Sequence, residues 1–513
     1  MKNEEIVNLF KKWLKNEKEK LQKRPVNLKE EAQAKRTYIH FDKRRHSSSL
    51  FDMQDILLDP KKIAKENSWP FIKFIIKTPK YKKQKDEKNK RVKTIKERPV
   101  YYASHKDALI YSWYSFLLNE KYYNKKLKEL DIDKCVFAYR KIATKENKNK
   151  CNIHFSKEIF DFVSTKGECV AFVADISSFF DNLDHEHLKK EWCNVLGVKK
   201  LPPDHYSIFK RLTNFKYVDA EKIYKEFNIK FKDKINTKNK KKYKIALRDG
   251  RKLKKICSRS EFIKKVVKNN LIKGNENKNK IETSKRLGKT CGIMQGSPIS
   301  ATLSNIYMIS FDTEINKVLQ DFGGIYRRYS DDLVVICDKK YFNDIKKIVL
   351  DTILKYELKI NSNKIDTTYF SMDHKNKLRG FDKDDAQKRL YKNLQYLGFE
   401  FNGQDVFTRS SSLSRYYRKM KSRTRKTVNM AYGKKSKTKN SDNVVFKKTL
   451  FKKYLYQGRR SFISYAYRAI EIFGSKSLKD QLSGRFNIMT KYIEKIISKK
   501  EDDKKKFEKN IKN

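Results

Sequence analysis

Acidic residues are scarce in this chain. Against 122 lysines and arginines stand 61 aspartates and glutamates in 513 residues, a formal net charge of +61 at pH 7. A chain this basic repels itself unless it meets an anionic partner, and a phosphate backbone is the leading one. Glycine (16) and proline (8) are also few, while lysine and asparagine abound. A lysine bias of the coding sequence takes part of the charge but does not explain the arginines clustered near the C-terminus. There is no apolar run of transmembrane length and no secretory leader, which argues against an anionic membrane surface as the partner. Cysteine is sparse and odd in number: Cys135, Cys151, Cys169, Cys193, Cys257, Cys291 and Cys337 include no C-x-x-C pair. That argues against a disulfide framework and a structural zinc site, and it suits a reducing cytoplasm.

What is present points to a folded chain. Hydrophobic residues at 38% and aromatics at 13% argue against wholesale disorder, and the length suits two or three domains. Residues 1–95 read as a helical region ending in a lysine run, Tyr81 through Arg91, that suits a linker or exposed loop. Residues 96–405 form the central unit. There Ala108–Leu117 reads as a buried helix and Cys135–Tyr139 as a strand ending at Arg140. Cys169–Ala174 is a second apolar strand ending at Asp175 and leading into Ser177-Ser178-Phe179-Phe180-Asp181. His185 and His187 resemble a metal pair, but no third ligand is apparent and they read as helix-start residues. A lysine-rich insertion occupies about 200–285, and Asn236–Lys242 in it suits a mobile loop. Gly292–Pro298 then opens a helix through Leu303 and Tyr307, and Leu358–Asn361 alternates. Residues 406–513 read as basic helices with aromatic stripes.

Tyr329-Ser330-Asp331-Asp332 lies between Gly324-Ile325-Tyr326 and Leu333-Val334-Val335-Ile336. Two adjacent carboxylates at the tip of a buried hairpin are costly unless a cation neutralises them. Asp384-Asp385 and Asp502-Asp503 sit in polar stretches, so only the first pair is framed by strand-forming residues. Two-metal phosphoryl transfer needs carboxylates that converge from separate strands. Asp175 at one strand end and Asp331 at a hairpin tip can meet only if the two strands are neighbours in one sheet.

The order Ala174–Asp181, Gln295-Gly296-Ser297-Pro298, Tyr329–Asp332 resembles motifs A, B and C of reverse transcriptases. Leu358–Lys364 looks like motif D, and Leu397-Gly398-Phe399 like the primer-grip motif E. The resemblance covers roughly Arg98 to Gly403. Ala103–Ser112, Ala138-Tyr139-Arg140, Ser411–Arg418 and Ser464–Arg468 look most similar to the bacterial defence-associated group, which includes abortive-infection enzymes. One departure is the long spacing from Asp175 to Gln295. No RNase H or protease domain is visible, and no room remains for one after Gly403.

The resemblance implies an α+β right-hand polymerase with an antiparallel palm sheet, helical fingers and an α-helical C-terminal thumb-like domain. It implies Asp175, Asp331 and Asp332 as catalytic carboxylates and a metal site of Asp175, Ile176, Asp331 and Asp332 for two Mg2+ ions, with Mn2+ as a substitute. Lys364 would protonate the leaving pyrophosphate. Phe180, five residues past Asp175, would be the steric gate against a 2′-hydroxyl, with Phe179 as core. Gln295 and Gly296 would let template and nucleotide pack on bare backbone. Arg140 would grip the triphosphate, with Arg98 or Lys141 as substitutes. Arg415, Arg418 and Arg423 would follow phosphates while Tyr416 and Tyr417 stack on bases. The implied partners are an RNA template (a structured non-coding RNA), dNTPs and the DNA product, with homo-oligomers known among relatives and no membrane. The setting would be the bacterial cytoplasm, in antiphage defence. Two readings compete: untemplated or protein-primed DNA synthesis, with Tyr454, Tyr456, Tyr465 or Tyr467 as primer, and a non-catalytic RNA-binding scaffold. The intact aspartate trio argues against the scaffold, and Phe180 with the Tyr-x-Asp-Asp form weighs against an RNA-making polymerase.

Overall fold

The computed structural model describes residues 4–22, 38–43, 53–83, 91–144, 146–235, 242–361, 365–385, 388–432, 444–456 and 461–512. Its strands, in chain order, are β1 (Phe71–Lys83), β2 (Arg91–Tyr102), β3 (Cys169–Asp175), β4 (Lys216–Asp219), β5 (Lys230–Ile235), β6 (Lys242–Arg248), β7 (Arg251–Lys252), β8 (Lys273–Gly274), β9 (Ile325–Tyr329), β10 (Asp332–Cys337), β11 (Asp366–Met372), β12 (Leu378–Phe381), β13 (Leu394–Tyr396), β14 (Phe399–Phe401) and β15 (Val406–Thr408). They form sheets ordered β2-β1-β4-β8, β12-β11-β3-β10-β9, β13-β14-β15 and β5-β6-β7.

The second sheet is the centre of the molecule. β3 and β10 are almost continuously apolar because both faces of that sheet are covered. On one face Val170, Phe172, Leu333, Val335 and Cys337 join the main core beneath the helices Ser300–Tyr307, Ile309–Asp321 and Phe342–Lys355. On the other, Cys169, Ala171, Val334 and Ile336 meet Leu394, Tyr396, Phe399 and Phe401 of the β13–β15 sheet. β3 pairs antiparallel with both β10 and β11.

The N-terminal region differs from its sequence reading. β1 and β2 form one long antiparallel ribbon, so Tyr81–Lys83 and Arg91 are strand rather than linker, and the boundary at residue 95 cuts through β2. Lysines interleaved along the ribbon hide its alternation. Nor is the N-terminal helix Glu4–Gln22 a separate body. Its Phe10 and Trp13 pack on Trp113 of the helix His105–Leu117, at 5.3 and 5.8 Å between rings.

The lysine-rich stretch is also more ordered than its composition suggests. Ile208, Phe209 and Leu212 of the helix Pro203–Thr213 enter the main core at helical spacing. Ile223, Phe227 and Val266 build a separate core with Ile39, Phe41 and Ile72. β4 pairs in parallel with the start of β1. Asn236–Lys241 lie outside the described residues. Cys135–Tyr139 forms no strand; one parallel bridge, Val136 to Arg328, is all that pairs there. At the C-terminal end the 405/406 boundary parts β15 from β14, the strand it pairs with. Beyond it the helices Ser410–Tyr432, Lys447–Tyr454, Phe462–Phe473, Lys476–Ser483 and Arg485–Lys512 enclose their own core of Met420, Leu450, Ile463 and Met489.

Asp107 ties the segment just before β1 to the start of the helix His105–Leu117. Its carboxylate accepts from Ser104 Oγ at 2.6 Å and from the Trp69 amide at 3.3 Å. Burial pushes its pKa up from 3.8 to about 6. The fold therefore favours the neutral acid: the stability this contributes is complete below the unfolded value near 4 and is lost as the pH rises through about 6. Asp107→Asn should remove that loss, gaining on the wild type by on the order of 3 kcal/mol between pH 4 and pH 8. Denaturant midpoints across that range check it, and parallel profiles would contradict it.

Candidate active site

β9 and β10 are joined by only two residues, Ser330 and Asp331, with Tyr329 and Asp332 directly paired. Ser330 has φ +61°, a position in a two-residue hairpin that glycine usually takes. What holds a serine there lies beneath the sheet. Arg328, with no exposure, donates through Nη1 to the Ser330 carbonyl and to Asn305 Oδ1, both at 3.1 Å. Its Nε and Nη2 reach the two oxygens of Asp312 at 2.8 and 2.6 Å, and Asp312 also accepts from Tyr326 OH at 2.7 Å. Burial alone would lower the guanidinium's pKa; the Asp312 carboxylate reverses this and the net shift is upward. A charge pair sealed from water repays its desolvation only with such complete pairing.

The tip then meets β3. Asp332 and Asp175 are direct partners in the ladder, so both side chains leave the same face of the sheet at its open end. The Ile176 amide donates to the Asp331 carbonyl at 2.9 Å, closing the turn onto the strand end. On the other side the Asn361 amide donates to the Asp175 carbonyl and the Ser177 amide to the Lys359 carbonyl, at 2.9 and 2.8 Å. Asp175, Asp331 and Asp332 are thus brought together by backbone pairing on three segments.

The carboxylate oxygens, without thiol or imidazole, fit a hard divalent cation, and the expected fourth donor would be the Ile176 carbonyl. Among the described residues no group of three or more His, Cys, Asp and Glu side chains is set closely enough to hold a metal by itself. Magnesium rarely needs such a cage, since one or two carboxylates and substrate phosphates complete its shell. A facing pair, Asp175 and Asp332, suits that mode. His185 and His187 are otherwise engaged, their Nε2 atoms 2.9 and 3.0 Å from the carbonyls of Gly292 and Tyr307.

Beyond Asp175 the chain turns sharply at Ser178 (φ +44°) into a short 3-10 turn, Phe179–Asp181. Phe179 is buried in the main core, whereas Phe180 is only half-buried beside it, rings 5.5 Å apart. The Phe180 carbonyl accepts from the Ile293 amide at 2.8 Å, fixing it against the segment that carries Gln295 and Gly296. That segment covers the free edge of β2: the Tyr101 amide donates to the Gln295 carbonyl at 2.8 Å. Gly296 (φ +110°) lies so close that a Cβ there would stand 2.8 Å from both the Tyr101 carbonyl and Val100 Cγ1. The Tyr101 phenol is shifted upward by burial and then by Tyr217 and Asp181, while burial raises the Asp181 carboxyl.

Other expected site residues fall elsewhere. Arg140 does not present its guanidinium to a ligand: Nε donates to Asn124 Oδ1 at 3.0 Å and Nη1 to the carbonyls of Asp133 and Val136 at 2.5 and 2.9 Å. Lys364 lies outside the described residues. Tyr416 is a core residue, stacked on Phe462 at 4.9 Å with its hydroxyl donating to the Tyr454 carbonyl, so it cannot stack on a base. It takes the inward position of the series Tyr416, Met420, Thr424 and Val428, which recurs every fourth residue along the helix Ser410–Tyr432. Tyr417 is half-buried edge-on against it, and Arg415, Arg418 and Arg423 are exposed.

Sequence reasoning missed Arg328, Asp312 and Tyr396. A signal for the first existed, because alternation places Arg328 on the same face as Tyr326, and a buried arginine demands a carboxylate. Tyr396, 3% exposed on β13, has Asp332 among its charged neighbours and a hydroxyl that meets no partner.

A central antiparallel sheet carrying paired aspartates, a ribbon sheet joined to the Gln295–Gly296 segment and a C-terminal helical region together make the α+β fold of a reverse-transcriptase-like polymerase. Residues 218–401 match the family model "Reverse transcriptase (RNA-dependent DNA polymerase)", so this stretch of the chain is similar to a reverse-transcriptase domain. The match begins after Asp175; the strand ladder is what joins that residue to it. No curated protein matches the chain in sequence. Among solved structures it is similar to a C-terminally truncated apo telomerase from Candida tropicalis (12% identity, TM-score 0.34, 71% of this chain and 60% of that one). It is also similar to telomerase from Candida albicans in complex with the TWJ fragment of telomeric RNA (12%, TM-score 0.34, 86% and 63%), and to apo telomerase from Candida tropicalis (15%, TM-score 0.33, 85% and 68%). The chain thus spans 60% and 63% of the length of the first two. Likeness of this degree does not bear on the reading of the site.

Two consequences can be measured. Asp312→Asn should cost roughly 3–5 kcal/mol by leaving the Arg328 charge buried without its counter-charge, while the double change Arg328→Met with Asp312→Leu recovers most of that stability. Thermal unfolding checks this; equal stability of single and double variants would contradict it. Gly296→Val should separate the motif from β2, cut nucleotide incorporation at least tenfold (roughly 1.4 kcal/mol or more of barrier) and lower the unfolding temperature, because the backbone at φ +110° and the nearby Tyr101 carbonyl leave no room for a branched side chain.

Proposed function

We propose that this chain is an RNA-directed DNA polymerase whose chemistry is carried by Asp175, Asp331 and Asp332. The observation that carries the reading is the register itself: Asp175 opposite Asp332, with the Asp331 carbonyl bonded to Ile176, beside the matched domain. Magnesium, or manganese in its place, held by Asp175, Asp331, Asp332 and the Ile176 carbonyl, would supply Lewis-acid activation of a 3′-hydroxyl and charge neutralisation at the triphosphate.

The chain's own residues do the rest. Phe180 bounds the sugar pocket and selects deoxynucleotides. Gln295 and Gly296 keep the floor of the nucleotide site flat against β2. Arg140 is occupied by the chain, which leaves the triphosphate to other cations. Lys73 is well placed: it is the ladder partner of Tyr101, with Nζ 5.0 Å above the Tyr217 ring. Lys364 remains the candidate proton donor to pyrophosphate on the family resemblance. The exposed Arg415, Arg418 and Arg423 give a C-terminal helix that can follow a phosphate backbone.

RNA as template is supported by the matched domain and by the charge of +61. Placement among bacterial defence-associated enzymes, with a dedicated structured RNA and antiphage action, is supported by the resemblance at Ala103–Ser112, Ala138–Arg140 and Ser411–Arg418. A cytoplasmic setting is supported by seven free cysteines, six of them buried.

Purified protein offered dNTPs or NTPs with magnesium and a primed RNA should incorporate dNTPs. Asp331→Ala should abolish synthesis while RNA binding persists. Phe180→Ala should raise NTP use roughly tenfold or more. Incorporation of NTPs alone, or full activity of Asp331→Ala, would overturn the reading.

A further inference from the structure

Tyr139 combines two features that seldom coincide. Its backbone is left-handed (φ +61°), and its side chain is 50% exposed. A bulky residue tolerates that conformation only where its surroundings over-determine it. Here they do. The Phe137 amide donates to the Arg328 carbonyl at 2.9 Å and the Arg328 amide to the Cys135 carbonyl at 2.8 Å. Asn305 Nδ2 donates to the Ala138 carbonyl at 2.9 Å, and Arg140 grips the carbonyls of Asp133 and Val136. The Phe137 ring is stacked on Phe155 at 4.3 Å. Every neighbour is fixed, yet the ring these contacts present is not used to fill the core.

The ring is aimed at the catalytic turn. The Tyr139 hydroxyl lies 3.3 Å from Ser330 Oγ, so its polar edge is anchored one residue from Asp331 while much of the ring stays open to solvent. An anchored, solvent-open aromatic beside paired carboxylates, in a chain this basic, has the chemistry of a base-stacking platform. Resting on the polymerase reading above, we propose that Tyr139 stacks on a nucleobase of the bound template–primer at the reacting position and so seats the strand end against Asp331. It is a binding residue of the site, held there by Arg328, Asn305 and Arg140.

The left-handed backbone supplies its own control. Tyr139→Gly removes the ring but suits the conformation, so the unfolding temperature should hold or rise. Primer extension by Tyr139→Gly should fall about tenfold, while Tyr139→Phe, which keeps the ring, should stay within about twofold of wild type. A second readout needs no synthesis: an RNA–DNA primer–template carrying 2-aminopurine at the templating base or at the primer 3′ end. Wild type and Tyr139→Phe should quench one of the two positions and Tyr139→Gly neither, which also tells template from primer. Failure of wild-type extension would strike the polymerase reading, whereas the fluorescence arm judges the stacking by itself. Unchanged quenching in Tyr139→Gly at both positions, or a drop in its unfolding temperature that matches the activity loss, would overturn the proposal.

Discussion

The aspartate-bearing turn rests on a single ion pair that never meets water. Arg328 and Asp312, both with no exposure, lie under the helical face of the central sheet, and the guanidinium's remaining donor holds the Ser330 carbonyl. Two side chains extend the pair's reach. Asn305 accepts from Arg328 and passes the constraint to the Ala138 carbonyl, and Tyr326 locks Asp312 to β9. One polar cluster thereby fixes the hairpin tip, the segment before Arg140 and the helices Ser300–Tyr307 and Ile309–Asp321 relative to each other. Such a cluster adds little net stability compared with an apolar core, but it allows one arrangement only.

That constraint makes the β3–β10 register meaningful. A slip of one residue would turn Asp332 into the helix-side core and Leu333 outward. The apolar alternation of Leu333, Val335 and Cys337 against Val334 and Ile336 opposes the slip on both faces. At the open end the ladder leaves two carboxylates facing each other, and the Ile176 and Asn361 amides close around them. The other half of the candidate site is assembled separately, by the docking of Gln295 and Gly296 on the edge of β2. The two halves meet at Phe180, whose carbonyl is bonded to Ile293.

Much of this site was legible in the sequence because its signals are local. Asp175 ends an apolar run, Asp331 and Asp332 interrupt another, and the contrast between Phe179 and Phe180 needs only their spacing from Asp175. What escaped depends on partners far along the chain. The β1–β2 ribbon is obscured by the lysines that interrupt its apolar alternation, so its boundary was misplaced. Cys135–Tyr139 looks like a strand by composition but bends at Tyr139 and keeps a single bridge. Tyr416 looks like a base-stacking residue among arginines, yet helical periodicity turns it inward. Arg140 and Arg328 are both arginines near the site, and only the fold shows that each serves the protein's own carbonyls or carboxylates.

The central claim is that this aspartate-bearing sheet copies RNA into DNA. Its most direct test is to sequence the DNA made by the purified protein on an RNA template of defined, non-repetitive sequence. The account predicts product complementary to that template along its length. DNA of unrelated or homopolymeric sequence from the same reaction would contradict it.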